Sequence, residues 1–149
     1  MDRFTKILLA EDDLSDYEFF GEALEKISDT FKVTWVKNGL DCMAFLKSNQ
    51  PDLIFLDLNM PGYNGKDCLK FIKANETLAE VPVVIYSTSH YIKDIDACFK
   101  MGAHYYIVKP ADHNQLVNNL KQVINKLDNS LDRPCQQNFV VGLSTTVES

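Results

Sequence analysis

The sequence predicts an α/β chain in which five strands form one parallel sheet and helices cover both of its faces. Three observations predict it. Five short apolar runs recur, each of strand length and rich in β-branched or aromatic residues: TKILLA (5–10), FKVTWVK (31–37), DLIFLD (52–57), VPVVIYS (81–87) and AHYYIVK (103–109). Segments of helical period separate and follow them, so strand and helix alternate through five repeats. Four of the runs are almost continuously apolar, as strands buried on both faces of a parallel sheet should be. Right-handed crossovers then make a doubly wound (βα)5 arrangement.

The first run meets acids at once, in Glu11-Asp12-Asp13. Tyr17, Phe20, Leu24 and Ile27 follow at i, i+3, i+7 and i+10, one face of a helix, with Ser15–Asp16 as its N-cap. The second run alternates: Phe31, Val33 and Trp35 point one way and Lys32 and Thr34 the other, the pattern of an edge strand. A helix over Leu40 to Lys47 leads to the third run, and one over Lys66 to Ala74 leads to the fourth. The helix at Ile92 to Met101 is stopped by Gly102 before the fifth run. Leu116, Leu120, Val123, Ile124 and Leu127 give the last amphipathic helix, with Lys121 and Lys126 favourably near its C-terminus. The expected domain is therefore 1–128. Residues 129–149 break the rhythm and are expected to form a flexible C-terminal tail, with docking of its apolar run Phe139 to Leu143 as the alternative.

At 149 residues, 46% hydrophobic and 24% charged, the chain is long enough for one real core. No apolar run approaches membrane-span length, and MDRFTKILLAEDD meets acids too early for a secretory signal. A cytoplasmic protein with no membrane partner is expected. Cys42, Cys68, Cys98 and Cys135 are scattered, and His90, His104 and His113 lack zinc-site spacing, so free thiols are expected. The net charge of −6 and the lack of a basic stripe argue against nucleic acid.

One residue is out of place. Asp57 follows Leu53-Ile54-Phe55-Leu56 directly, and taking a carboxylate out of water is costly unless something compensates it. In open α/β sheets ligands bind beyond the carboxyl ends of the strands. Those ends carry Glu11-Asp12-Asp13, Asp57, Ser87-Thr88 and Lys109-Pro110: carboxylates, hydroxyls and an ammonium delivered to one edge. Crowded carboxylates need a cation, and hard oxygen donors with room for water suit Mg2+. Asp57 then has a free oxygen able to attack phosphorus, with Lys109 and Ser87 to receive the phosphoryl group. The plainer readings are a helix N-terminus that favours acids at Glu11 to Asp13, a structural acid at Asp57, and a surface lysine at Lys109. Ser87, Thr88 and Ser89 compete for the hydroxyl role. Tyr105 and Tyr106 point to opposite faces, so only one of them can respond to the site.

The set Glu11-Asp12, Asp57 with Asn59-Met60-Pro61 and Gly65, Ser87, Tyr106 and Lys109-Pro110 resembles the response-regulator receiver domain of two-component signalling, over about residues 5–127. The resemblance implies a flavodoxin-like strand order 2-1-3-4-5. It implies that Asp57 is the phospho-acceptor, that Asp12 binds Mg2+ directly and Glu11 through water, and that the Asn59 backbone carbonyl completes the protein ligands. Asp13 falls one place beyond the acidic pair, so solvent exposure or helix capping suits it better. Ser87 would sense the phosphoryl group, Tyr106 would rotate inward, and Lys109 would pair with phosphate. Asn59 and Ser89 would tune dephosphorylation, and the Lys109–Pro110 bond would be cis. The implied partners are a histidine kinase or histidine phosphotransfer protein and a downstream protein target, met by a monomer or a phosphorylation-dependent homodimer. No output domain is expected after Leu127, so output is expected through protein contact around the helix at 92–101, the last helix and the strand beside Tyr106. An aspartyl phosphatase would need a second Asp where Asn59 stands. A flavin-phosphate binder would be repelled by Glu11-Asp12-Asp13.

Overall fold

The computed structural model describes residues 4–142. Met1 to Arg3 and 143–149, with Leu143 of the expected apolar run, lie outside them. Strands β1 (Lys6–Ala10), β2 (Lys32–Val36), β3 (Leu53–Leu56), β4 (Val83–Ser87) and β5 (Tyr105–Val108) alternate with helices α1 (Leu14–Ile27), α2 (Gly39–Ser48), α3 (Gly65–Ala74), α4 (Ile92–Lys100) and α5 (His113–Asn129). A short turn at Gln136–Asn138 precedes a further strand, β6 (Val140–Val141). All pairings are parallel, in the order β2-β1-β3-β4-β5-β6. The predicted order is present, and the alternating strand does lie at the edge.

Period-2 alternation divides the core. Leu8, Ala10, Ile54, Leu56, Val83, Ile85 and Tyr106 face α2, α3 and α4, while Ile7, Leu9, Phe55, Val84, Tyr86 and Tyr105 face α1 and α5. Tyr105 and Tyr106 thus belong to opposite layers, as the alternation requires. Among the described residues no helix is long and apolar enough to cross a membrane. Cys42, Cys68, Cys98 and Cys135 are free.

Three expectations are corrected. The N-cap of α1 is Asp13, not Ser15–Asp16: Asp13 is extended and its carboxylate accepts the Asp16 amide at 3.0 Å, which places Ser15 and Asp16 inside the first turn. The sheet has six strands, because the segment after α5 folds back instead of trailing away. Phe139 is fully buried, its carbonyl accepts the Tyr106 amide at 3.0 Å, and Val140–Val141 extend the sheet beside β5. The apolar side chains supply the burial that offsets ordering this stretch. The Lys109–Pro110 peptide is trans: there is no cis peptide bond among the described residues. Trans is the intrinsically favoured isomer even before proline.

Candidate functional site

Parallel register brings the acids together. Ala10 pairs with Leu56, so the next residues, Glu11 and Asp57, emerge side by side, and the Asp57 amide donates to the Ala10 carbonyl at 3.0 Å. Ser87 pairs with Val108, and the Lys109 amide donates to the Ser87 carbonyl at 2.8 Å. Glu11, Asp57 and Lys109 are thereby each the first residue past a buried strand, Ser87 is the last residue of one, and Asp12 follows Glu11. Glu11 and Asp57 are buried and Asp12 is exposed. One carboxylate oxygen from each of these three can lie within 4.8 Å of the others.

Lys109 binds this acidic group from the side. Its Nζ donates to Glu11 Oε1 at 2.6 Å, Asp57 Oδ2 at 2.9 Å and Asp16 Oδ2 at 2.9 Å, and it lies 5.2 Å from the centre of the Tyr86 ring. Burial, the largest single influence on Lys109, lowers its pKa, yet the three carboxylates together outweigh it and hold the ammonium above its ordinary value. Glu11 is pushed up to about 7, first by burial, with the Asp57 charge adding to the rise and the Lys109 bond opposing it. Its other oxygen accepts the Asp13 amide at 3.2 Å, and its backbone carbonyl accepts Trp35 Nε1 at 2.6 Å. Asp57 Oδ1 accepts the Asn59 amide at 3.1 Å, so Asn59 enters the site through its backbone.

A second group lies at the end of β4. Buried Ser87 accepts the Ser89 amide on its Oγ at 3.2 Å, and the Ser89 carbonyl accepts the Tyr106 hydroxyl at 2.8 Å. The Tyr106 ring is already fully buried, the inward position that the sequence reading associated with the switched state. Ser89 Oγ donates to Asp94 Oδ2 at 2.5 Å, and Lys66 pairs with the other Asp94 oxygen at 2.8 Å. These two bonds, Lys66 first, hold Asp94 below the usual carboxylate range.

The structure thus joins Glu11, Asp12, Asp57 and Lys109 in one cluster and links Ser87, Ser89 and Tyr106 in a neighbouring chain. Asp16, Lys66 and Asp94 were missed. Asp16 sits one helical turn beyond Asp12-Asp13, a spacing that could have suggested a further carboxylate near the acidic edge.

Residues 7–121 match the response regulator receiver domain family. The chain belongs to that family. Over 110 residues this receiver is 36% identical to the response regulator Rcp1 of Synechocystis sp., an alignment spanning 69% of this chain and 75% of Rcp1. The phosphorylated cyanobacterial phytochrome response regulator RcpA superimposes with a TM-score of 0.78 at 34% identity, over 85% of this chain and 96% of RcpA. The Mn(2+)-bound form of Rcp1 gives 0.76 at 30% identity, over 88% of this chain and 99% of that one. Receiver domains are the signalling switches of two-component systems, and the strand order and acidic edge described here are those of such a receiver.

Proposed function

We propose that this receiver is a phosphorylation-dependent switch in which Asp57 accepts a phosphoryl group from a phosphohistidine of a sensor kinase or phosphotransfer protein. One observation carries the reading: a buried acceptor carboxylate shares Lys109 with Glu11 and has Asp12 beside it. The donor set fits a divalent cation. It offers hard carboxylate oxygens, one of them on an exposed residue that water can reach, and a buried Glu11 whose ionised form lacks full compensation. Glu11, Asp12, Asp57 and the Asn59 backbone carbonyl would hold Mg2+, which when bound neutralises charge on the oxygens of the transferring group. The phosphorylated form of RcpA and the Mn(2+)-bound form of Rcp1 support the two halves of this reading.

In the transfer, an Asp57 oxygen forms a bond to phosphorus as the P–N bond of the donor imidazole breaks, and the departing nitrogen keeps the electron pair. Lys109 moves its hydrogen bond from Asp57 to a phosphoryl oxygen. The Ser87 hydroxyl donates a hydrogen bond to another, and the Ser87–Ser89–Tyr106 chain carries the shift toward α4 and β5. Asn59 and Ser89 flank the acyl phosphate and tune its hydrolysis. A downstream protein reads the state, in the cytoplasm, from a monomer or a phosphorylation-dependent homodimer, with neither nucleic acid nor membrane as partner.

The test is intact-mass analysis after incubation with acetyl phosphate and then with a phosphohistidine donor, each with and without Mg2+, beside Asp57→Asn. The expected result is a Mg2+-dependent gain of one phosphoryl group that the variant loses. A chain that takes no phosphoryl group from either donor, or a variant that takes it as the wild type does, overturns the proposal.

A further inference from the structure

An ammonium has three N–H donors and no acceptor, and all three of those on Lys109 are engaged, with Glu11, Asp57 and Asp16. The acceptor reading of Asp57 turns two of these partners to other work: Asp57 to phosphorus and Glu11 to the cation. Asp16 has no such duty. It stands in the first turn of α1, where its amide donates to the Asp13 cap at 3.0 Å, so the helix fixes its backbone. Its side chain is 38% exposed, against 0% for Glu11 and 6% for Asp57, so it keeps contact with solvent while its partners are enclosed.

We infer that Asp16 is a positioning residue that holds the Lys109 ammonium over the acceptor while Glu11 and Asp57 change partners, an inference that rests on the acceptor reading above. Lysine is a point charge on a flexible four-carbon stem, and an ammonium that loses two of its three bonds at once is free to swing away. One charge-assisted bond to a helix-borne carboxylate prevents this and leaves the other two N–H groups aimed where the phosphoryl oxygens arrive. The contrasting role for Asp16 is an acid that merely suits the N-terminus of α1. That role touches stability and leaves the transfer alone.

The experiment compares wild type, Asp16→Asn and Asp16→Glu with acetyl phosphate at saturating Mg2+, across donor concentrations. Asp16→Asn is expected to lower the maximal phosphorylation rate by roughly tenfold or more, the scale of a misplaced positioning group, with little change in the half-saturating donor concentration. Asp16→Glu, which keeps the carboxylate, recovers most of the rate. A second readout needs no phosphorylation. With Mg2+ bound, a small amine-acylating reagent labels Lys109 faster in Asp16→Asn than in wild type, mapped by peptide mass. Should Asp16→Asn fold poorly by circular dichroism, Asp16→Ser repeats both measurements.

Wild-type rate and wild-type labelling in the folded variant overturn the inference and leave the acceptor reading standing. A faster variant, as if Asp16 competed for Lys109, overturns it too. A wild-type chain that accepts no phosphoryl group brings down the acceptor reading and the role of Asp16 with it.

Discussion

Glu11 and His104 are both buried, and burial moves their pKa values in opposite directions through nearly the same pH range. Glu11, facing Lys109 and Asp57, rises from 4.5 to about 7. His104 is lowered from 6.5 to about 4, first by burial and then by the Lys73 charge, with Arg133 adding and the Leu131 carbonyl opposing. Its Nε2 donates to that carbonyl at 3.1 Å, while its Nδ1 has no acceptor to receive a second proton. Between 4.5 and 7 the folded state keeps a proton on Glu11 that the unfolded chain has lost, so this contribution is present at low pH and lost as pH rises. Between 4 and 6.5 the unfolded chain binds a proton that folded His104 refuses, so that contribution is present at higher pH and lost as pH falls. Each is worth about 3 kcal/mol over its window, and the slopes oppose. Urea unfolding without divalent ions is therefore expected to show wild-type stability nearly flat from pH 4.5 to 6.5, rising with pH in Glu11→Gln and falling with pH in His104→Asn. Parallel profiles for all three would refute the assignment. Asp57 was legible in the sequence because an acid after four apolar residues violates a simple rule, whereas Glu11 and His104 reveal their burial only once the strands are aligned.

At the scale of elements, the join of β3 to α3 governs how Asp57, the proposed acceptor, is presented. Asn64 and Asp67 form a reciprocal capping box, and the Gly65 amide donates to the Leu58 carbonyl at 3.1 Å. A Cβ on Gly65 would stand 2.3 Å from the Asp57 carbonyl oxygen and 2.7 Å from Leu58 Cα, both backbone atoms that cannot swing aside. Gly65→Ala is thus expected to push α3 away from the acceptor strand, lowering both the melting temperature and the phosphorylation rate. Asn64→Ala, which removes a cap, costs about 1 kcal/mol and leaves the rate near wild type. Equal effects of the two variants on the rate would show that helix stability, not the close approach, is what Gly65 serves. Helix interiors were legible because the apolar stripe repeats, and Gly102, at φ 103°, stops its helix as read. Helix starts were less so. Asp13 and Ser15–Asp16 are chemically equivalent cap candidates, and only the bond from the Asp16 amide decides between them. The apolar stripe of α5 begins at Leu116, yet the helix starts three residues earlier, where polar side chains carry no period.

The whole molecule is closed by its own last described segment. Arg133 donates to the Ala103 and Phe99 carbonyls with its guanidinium 4.5 Å from the centre of the Phe99 ring, and Gln136 donates to Asp96 at 2.8 Å. Phe139 then packs edge-on against Phe99 and Tyr106, at ring-centroid distances of 5.2 and 6.1 Å. This strap runs over α4 and β5, the surface from which output is proposed to be read, and touches the ring at the end of the Ser87–Ser89–Tyr106 chain. The sequence concealed it because a two-residue strand carries no periodicity and the stretch before it is polar; only the burial of Phe139 reveals what the apolar run does. Phe139→Ala is expected to cost about 3–5 kcal/mol, less if the strap simply lifts off and so limits the loss. Hydrogen exchange separates those outcomes. A strap that lifts off exposes the Tyr106 amide, whose acceptor is the Phe139 carbonyl, while β1 and β3 amides stay protected. Faster exchange confined to β5, β6 and the C-terminal end of α4 would mark the strap as a separable unit laid over the switch. Uniform acceleration across the sheet would mean that the strap and the five-stranded domain unfold as one. In that case a partner reading α4 and β5 would have to recognise the strap as part of the surface, because it could not displace it.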